Sequence, residues 1–148
     1  MGQQQLLLLV LGIVIVGLAV VVGIAAFSEN RIKSNADALV TDALRIASDV
    51  QAWKLKPGQF GGALSTEGLG DVTLARIGYP STDGTNYSNV NGLFSFTDGS
   101  GNAATCTAPT TSGDVQVYAW NAETGNCVVI GIAGTKATDI HTQITYGT

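Results

Sequence analysis

Few residues of this 148-residue chain have the type and spacing that chemistry requires. The single histidine, His141, has the polar neighbours Thr142 and Gln143. A catalytic triad needs a nucleophile that is partnered by a base, and the chain has no Gly-x-Ser-x-Gly nucleophile motif. We therefore interpret His141 as a surface residue and expect no catalytic site.

Two aspartate–glycine segments carry spaced oxygen ligands of the kind that bind calcium. They are Asp-Gly-Thr-Asn at 83–86 and Asp-Gly-Ser-Gly-Asn at 98–102. Neither has the EF-hand spacing, which ends in a bidentate glutamate. Tight turns are the simpler interpretation, with calcium binding as the alternative. Because no Cys/His cluster with zinc spacing is present, we expect no metal and no cofactor.

The two cysteines, Cys106 and Cys127, lie 21 positions apart. In an exported chain an even cysteine count predicts a disulfide, which loop-closure entropy makes worth about 3 kcal/mol. The alternative is a pair of reduced, buried thiols in a cytosolic protein. Asn86-Tyr87-Ser88 matches the N-glycosylation sequon, a short pattern that often arises by chance. Serine- and threonine-rich loops could instead carry O-linked sugars, although the sequence does not identify which residues would be modified.

The charge balance argues against a nucleic-acid partner. The net charge is −4, and only 12% of residues are charged. The seven lysines and arginines are scattered, so no basic patch is present to release counterions from a phosphate backbone.

The N-terminal segment is charge-free up to Ser28, and Leu6–Phe27 forms an almost purely aliphatic run. A helix of this length spans ~33 Å, enough to cross the hydrocarbon core of a bilayer. Its large apolar side chains favour insertion by about 5–10 kcal/mol. The run is longer than the apolar region of a cleaved signal and follows no basic residue, so we expect it to be retained. Its three glycines, Gly12, Gly17 and Gly23, either allow close helix approach or are ordinary membrane-helix glycines.

Beyond Ser28 the pattern becomes that of an amphipathic helix. Apolar residues recur at steps of three and four, and they are Ile32, Ala36, Leu39, Val40, Ala43, Ile46, Ala47, Val50 and Trp53. The first stop signal is Pro57-Gly58. A continuous helix from residue 3 to 56 is about 80 Å long. A domain of the remaining length cannot cover such a rod, so another molecule or a membrane must bury half of it.

The remaining chain predicts an antiparallel sheet packed on the amphipathic half of the helix, an α+β fold. We divide the chain into an apolar helix (1–28), its amphipathic continuation (29–56) and a globular domain (57–148). The predicted strands are Asp71–Ile77, Gly92–Thr97, Asp114–Asn121, Asn126–Ile132 and Asp139–Tyr146. Val128-Val129-Ile130 is apolar on both faces and predicts a central strand, and Glu123-Thr124-Gly125 predicts a hairpin turn. Residues 81–112 are rich in Ser, Thr, Asn and Gly and predict surface loops.

This architecture resembles that of type IV pilins and the related pseudopilins of secretion systems. The resemblance implies a precursor in the bacterial inner membrane, processing by a prepilin peptidase, N-methylation of the new first residue, and an assembly machinery that builds the filament. It places the candidate mature N-terminus among Met1, Gly2 and Gln3. Pilins usually have a glutamate at the fifth mature position, where this chain has Gln5 or Leu7, and a proline near position 22, where it has Val22. The resemblance therefore implies helix packing without the family's usual buried ion pair.

We expect a structural subunit of an extracellular, pilus-like filament that polymerises with copies of itself after storage in the inner membrane. One helix face, which would form the filament core, comprises Leu6, Leu9, Ile13, Val16, Val20, Ile24 and Phe27. The first alternative is a pseudopilin of a type II secretion or DNA-uptake machine. The second is a single-pass, membrane-anchored binding domain that never polymerises.

Overall fold

One helix accounts for more than a third of the chain. The computed structural model describes residues 2–64, 66–81, 85–96, 106 and 113–147. Helix α1 runs without interruption from Gly2 to Leu55. It contains no proline and ends two residues before Pro57, whose ring is incompatible with a continuing helix. The predicted continuous helix is confirmed.

The rest of the described chain forms one antiparallel sheet in the order β1-β2-β3-β4-β5. The strands are β1 (Asn86–Ser88), β2 (Leu93–Ser95), β3 (Val115–Trp120), β4 (Cys127–Ile132) and β5 (Ile140–Thr145). Each strand pairs with the strand next to it in sequence, and all four pairs are antiparallel. The fold is α+β, as predicted.

The core lies between the sheet and the second half of α1. Seven helix residues at three- and four-residue steps are buried, and all belong to the predicted stripe: Ala36, Leu39, Ala43, Ile46, Ala47, Val50 and Trp53. They join alternate residues of the two central strands, among them Val117 and Ile130. The alternation has period two because successive strand residues point to opposite faces. Strand β4 is buried along its whole length and lies between β3 and β5, as its double-sided apolar pattern predicted.

A smaller cluster covers the opposite face of the sheet. Tyr118, Cys127 and Val129 are buried there, with Trp120 and Cys106 packed against them. Cys106 and Cys127 form the predicted disulfide, with their Cα atoms 5.5 Å apart. The bridge fixes residue 106 at the first position of β4.

Two sequence predictions were wrong. Residues 71–77 are not a strand: the chain makes a 3₁₀ turn over Leu69–Asp71 and then further turns, in which the amide of Arg76 bonds to the carbonyl of Thr73. Val72 and Leu74 are both buried, which is the alternation expected of a strand. Backbone amides of this segment nevertheless donate to carbonyls three or four residues earlier, as in turns. Within the segment predicted as loops, residues 86–88 form strand β1.

The hairpin turn between β3 and β4 is as predicted. The Gly125 amide bonds to the carbonyl of Asn121, and the Asn121 amide bonds to that of Asn126. Gly125 has φ +69°, a left-handed conformation that glycine adopts without steric cost.

Candidate functional site

The apolar half of α1 has no cover within the described part of the chain. Sixteen large aliphatic or aromatic side chains between Leu6 and Phe27 are exposed, each by at least 50% of its surface. Covering a side chain of this kind is worth ~1.5–3 kcal/mol, so sixteen represent about 25–50 kcal/mol. That exceeds the ~5–15 kcal/mol that holds a typical domain together. A lipid bilayer or other protein must therefore cover this half of the helix.

The helix is long and apolar enough to cross a membrane by its length and composition. The residues predicted for a filament core recur at steps of three and four and lie on this exposed half, from Leu6 (66% exposed) to Phe27 (74% exposed). Gly12, Gly17 and Gly23 have open space around the position that a Cβ would occupy. Of the proposed N-terminal residues, Gly2 and Gln3 begin the helix, while Met1 lies outside the described residues.

The domain holds α1 from Ile32 onward through a cluster of asparagines. The Asn126 side chain is 1% exposed, and its Nδ2 donates to the carbonyl oxygen of Ile32 (2.6 Å) and to Oδ1 of Asn35 (3.2 Å). Thr124 Oγ1 also donates to Asn35 Oδ1 (2.7 Å), while Asn35 Nδ2 donates to the Asn91 carbonyl (3.0 Å). The exposed and the packed halves of the helix thus meet at a fixed point.

The turn between β1 and β2 presents an apolar side chain at its tip. Asn89 Oδ1 accepts hydrogen bonds from the amides of Asn91 (2.9 Å) and Gly92 (3.0 Å), which closes an Asx turn. Asn89 and Asn91 each donate through Nδ2 to Oδ2 of Asp42 on α1, at 2.8 and 2.7 Å. Between them Val90 is 100% exposed. A rigid turn therefore holds a valine in solvent.

A groove of about 500 Å³ separates this turn from the helix, and we call it the junction groove. Its helix side includes Phe27 and Arg31, and its hairpin side includes Val90 and Glu123. The remaining lining residues are Asn30, Ser34, Asn35, Ala38, Asn91, Asn121 and Thr124. The groove opens where the uncovered half of α1 meets the domain.

A second exposed apolar surface lies at the other end of the domain, where α1 stops. Leu55 (68% exposed), Phe60 (70%) and Leu64 (57%) surround the chain reversal, and we call these three the helix-end patch. The reversal is tight, because a Cβ at Gly62 would lie 1.9 Å from the carbonyl oxygen of Lys56. The side chain of Leu64 lies close to Gly58, since a Cβ at Gly58 would lie 2.8 Å from Leu64 Cδ2. These close contacts therefore fix the path of the chain at the helix-end patch.

Charged residues brace the loop that follows this patch. Glu67 accepts from Arg76 Nη1 (2.8 Å) and from the Leu64 amide (2.8 Å). The Leu64 amide, and after it Arg76, lowers the pKa of the Glu67 carboxyl. Lys54 Nζ donates to the Glu67 carbonyl, and the Arg76 guanidinium lies 5.7 Å from the Trp53 ring. These contacts hold the loop against the end of the helix.

Within the described part of the chain, the structure assembles no cluster around the residues that the sequence singled out for chemistry. His141 is half-buried on the edge strand β5, opposite Gly131. Among the described residues no group of three His, Cys, Asp or Glu could hold a metal ion. The aspartate–glycine segment 98–102, and Asp83 with Gly84, lie outside the described residues. The sequon residues Asn86-Tyr87-Ser88 form strand β1.

Sequence reasoning missed both the junction groove and the helix-end patch. Val90 lies in the polar segment Ser-Asn-Val-Asn-Gly, where a single valine among turn formers was the available signal. Phe60 stands among the glycines of a segment that was predicted only as a loop. The chain matches no protein-family model, no curated protein and no solved structure.

Proposed function

We propose that this chain is the structural subunit of a type IV pilus-like extracellular filament, in which the apolar helix halves of many copies bundle as the core. The uncovered apolar half of α1 carries the proposal. The long apolar helix and the antiparallel sheet are consistent with a pilin-like fold.

Assembly from a membrane is physically economical for such a chain. Helix-against-helix packing replaces lipid contacts as the subunit leaves the bilayer, so its aliphatic surface never meets water. The domain contacts begin at Ile32, so the apolar half can exchange lipid for protein without disturbing the fold. Side-chain packing sets the helix register, because Gln5 and Leu7 stand at the candidate positions for the family's charge.

Electron microscopy of material sheared from cells tests the proposal directly. Thin filaments that contain this chain, and that disappear when its gene is deleted, are the expected result. A chain that stays monomeric in the membrane fraction under all growth conditions would instead indicate an anchored binding domain. Filaments confined to the cell envelope, with secretion or DNA uptake lost on deletion, would indicate a pseudopilin.

A substitution in the apolar half separates the helix from the domain. Val16→Lys places a charge near the middle of the run, at a cost of about 2.5–3.5 kcal/mol for a membrane position. We expect loss of filaments, while Val16→Leu keeps them. Both variants should retain the wild-type near-ultraviolet circular dichroism in detergent, since Val16 is 62% exposed and touches no core. Filaments of normal yield from Val16→Lys would contradict a packed helical core.

A further inference from the structure

The junction groove and the helix-end patch lie at opposite ends of the same domain. Arg31 in the groove and Leu55 in the patch are 24 residues apart on one uninterrupted helix, or ~36 Å along its axis. Both surfaces are exposed on this chain, and both carry large apolar side chains on rigid turns. Two different surfaces at the two ends of a subunit are what a head-to-tail contact requires.

We propose that the helix-end patch of one copy docks into the junction groove of the next. This inference rests on the proposed filament and names the surface through which its domains touch. The contact is heterologous, because each copy offers its patch to one neighbour and its groove to another. Such a contact builds a helical polymer when the rotation between copies does not close a ring.

Exposed apolar side chains on both surfaces favour a second copy as the occupant. Phe60 and Leu64 are exposed on the patch. Phe27 and Val90 are the large apolar side chains of a groove whose other lining residues are mostly polar. Its volume of about 500 Å³ accommodates several side chains. Phe60 is 70% exposed among the described residues, and its aromatic ring gains cover there.

The charged residues select the direction of approach. Lys56 is exposed beside the patch, and Glu123 is exposed on the hairpin side of the groove. Neither side chain has an ion pair with another described residue of its own chain. Arg31 lines the helix side of the groove. In the proposed contact Lys56 therefore approaches Glu123 and avoids Arg31.

The contact also sets which helix segments lie side by side. With an offset of about 24 residues, Val20 of one copy lies level with Leu44 of the copy below it. Leu44 is 37% exposed on the solvent face of α1, between Thr41 and Ser48. The apolar half of each helix then covers the exposed face of a neighbour's amphipathic half. One arrangement of the copies therefore allows both the docking of the domains and the bundling of the helices.

Photo-cross-linking of the full chain tests the contact. Phe60 is replaced by p-benzoylphenylalanine, the cells are irradiated, and sheared filaments are separated on a denaturing gel. We expect a dimer band whose cross-linked peptide contains Val90, Glu123 or a groove residue of α1. The same probe at Thr142, exposed on the edge strand β5, serves as the control and should give no such peptide.

A charge exchange tests the same contact without a cross-linker. Lys56→Glu and Glu123→Lys should each lower the yield of sheared filaments by two- to fivefold or more. An exposed ion pair contributes ~0.2–1 kcal/mol, and the loss recurs at every contact along the polymer. The double variant Lys56→Glu/Glu123→Lys should restore the yield. Lys136→Glu, on the exposed turn before β5, is the matched charge control and should leave it unchanged.

The outcomes separate this contact from the filament itself. If the wild-type chain forms filaments but Phe60 links to another surface or to none, the contact is wrong and the filament stands. Failure of the double exchange to restore the yield overturns the contact in the same way. If the wild-type chain forms no filament, both the proposed function and the contact are wrong.

Discussion

At the scale of single residues, the buried side chain of Asn126 fixes α1 on the domain. Its Nδ2 reaches the backbone of the helix at Ile32, and its Oδ1 accepts from the amide of Gly147 (3.1 Å). One buried side chain thereby joins the helix, strand β4 and the end of the described chain. We expect Asn126→Ala to lower the free energy of unfolding by about 1–3 kcal/mol, because buried groups lose their partners.

Denaturant unfolding in detergent, followed by the fluorescence of Trp53 and Trp120, measures this change. Asn30→Ala is the matched control, because Asn30 is exposed on the same helix. It should stay within about 0.5 kcal/mol of the wild type. Equal unfolding midpoints for the two variants would show that the Asn126 contacts add nothing.

Tyr79 gives the domain a dependence on alkaline pH. Burial, followed by the hydrogen bond from its hydroxyl to Asp49 Oδ2 (2.7 Å), raises the pKa of Tyr79 to about 12. The unfolded chain releases this proton near pH 10, so between pH 10 and 12 the folded state binds more protons. Stability is therefore full below pH 10 and falls as the pH rises through this window.

Ultraviolet titration of tyrosinate should include a group that ionises near pH 12, the hydroxyl of Tyr79. Tyr79→Phe should remove that group and its share of the alkaline loss of stability. Tyr146→Phe, at a 55% exposed tyrosine, is the control and should leave both in place. If the high-pH group persists in Tyr79→Phe, it belongs to another tyrosine.

At the scale of elements, the approach of β2 to the helix depends on one glycine. A Cβ at Gly92 would lie 2.5 Å from the carbonyl oxygen of Trp120 and 2.7 Å from Leu39 Cδ2. We expect Gly92→Ala to destabilise the domain by about 1–3 kcal/mol, because neighbouring backbone has to shift. Gly70→Ala is the matched control, since its nearest atom would be at 3.6 Å. Thermal unfolding should show a lower midpoint temperature for Gly92→Ala than for Gly70→Ala. Equal midpoints would mean that β2 can shift to accommodate the methyl group without loss of stability.

The elements differ in how far the sequence predicts them, for physical reasons. The helix and its buried stripe are predictable because the 3.6-residue period persists over many turns. Residues 71–77 mislead because Val72 and Leu74 are buried from a turn, with the spacing that a strand would have. Strand β1 has three residues and gains its place from pairing with β2, which local sequence does not encode. The junction groove depends on chain segments that are distant in sequence, because α1, the β1–β2 turn and the β3–β4 turn meet there.

At the scale of the whole molecule, the fold and the proposed assembly use separate surfaces of one helix. Within the described chain, no buried apolar residue precedes Ala36, so the domain's core ends near the middle of α1. The apolar half supplies most of the surface that a polymer would cover. The helix-end patch is small by comparison, and a contact well below ~1,000 Å² does not hold two proteins together by itself. In the proposed filament, domain docking alone is therefore insufficient, and helix bundling has to supply most of the contact.

This division predicts how the chain responds to truncation. Removal of residues 1–28 should leave a folded, water-soluble monomer, because the Ile32–Asn126 bond and the whole buried stripe remain. Its near-ultraviolet circular dichroism should match that of the full chain in detergent, and sedimentation should show a monomer at micromolar concentration. Removal of residues 1–40 is the matched control: it also deletes Ala36 and Leu39, and we expect loss of cooperative unfolding. If the 1–28 truncation is already unfolded, the apolar half supports the domain's fold. If it forms stable oligomers, the domain contact is strong enough to act without the helix, and the two surfaces are not interdependent.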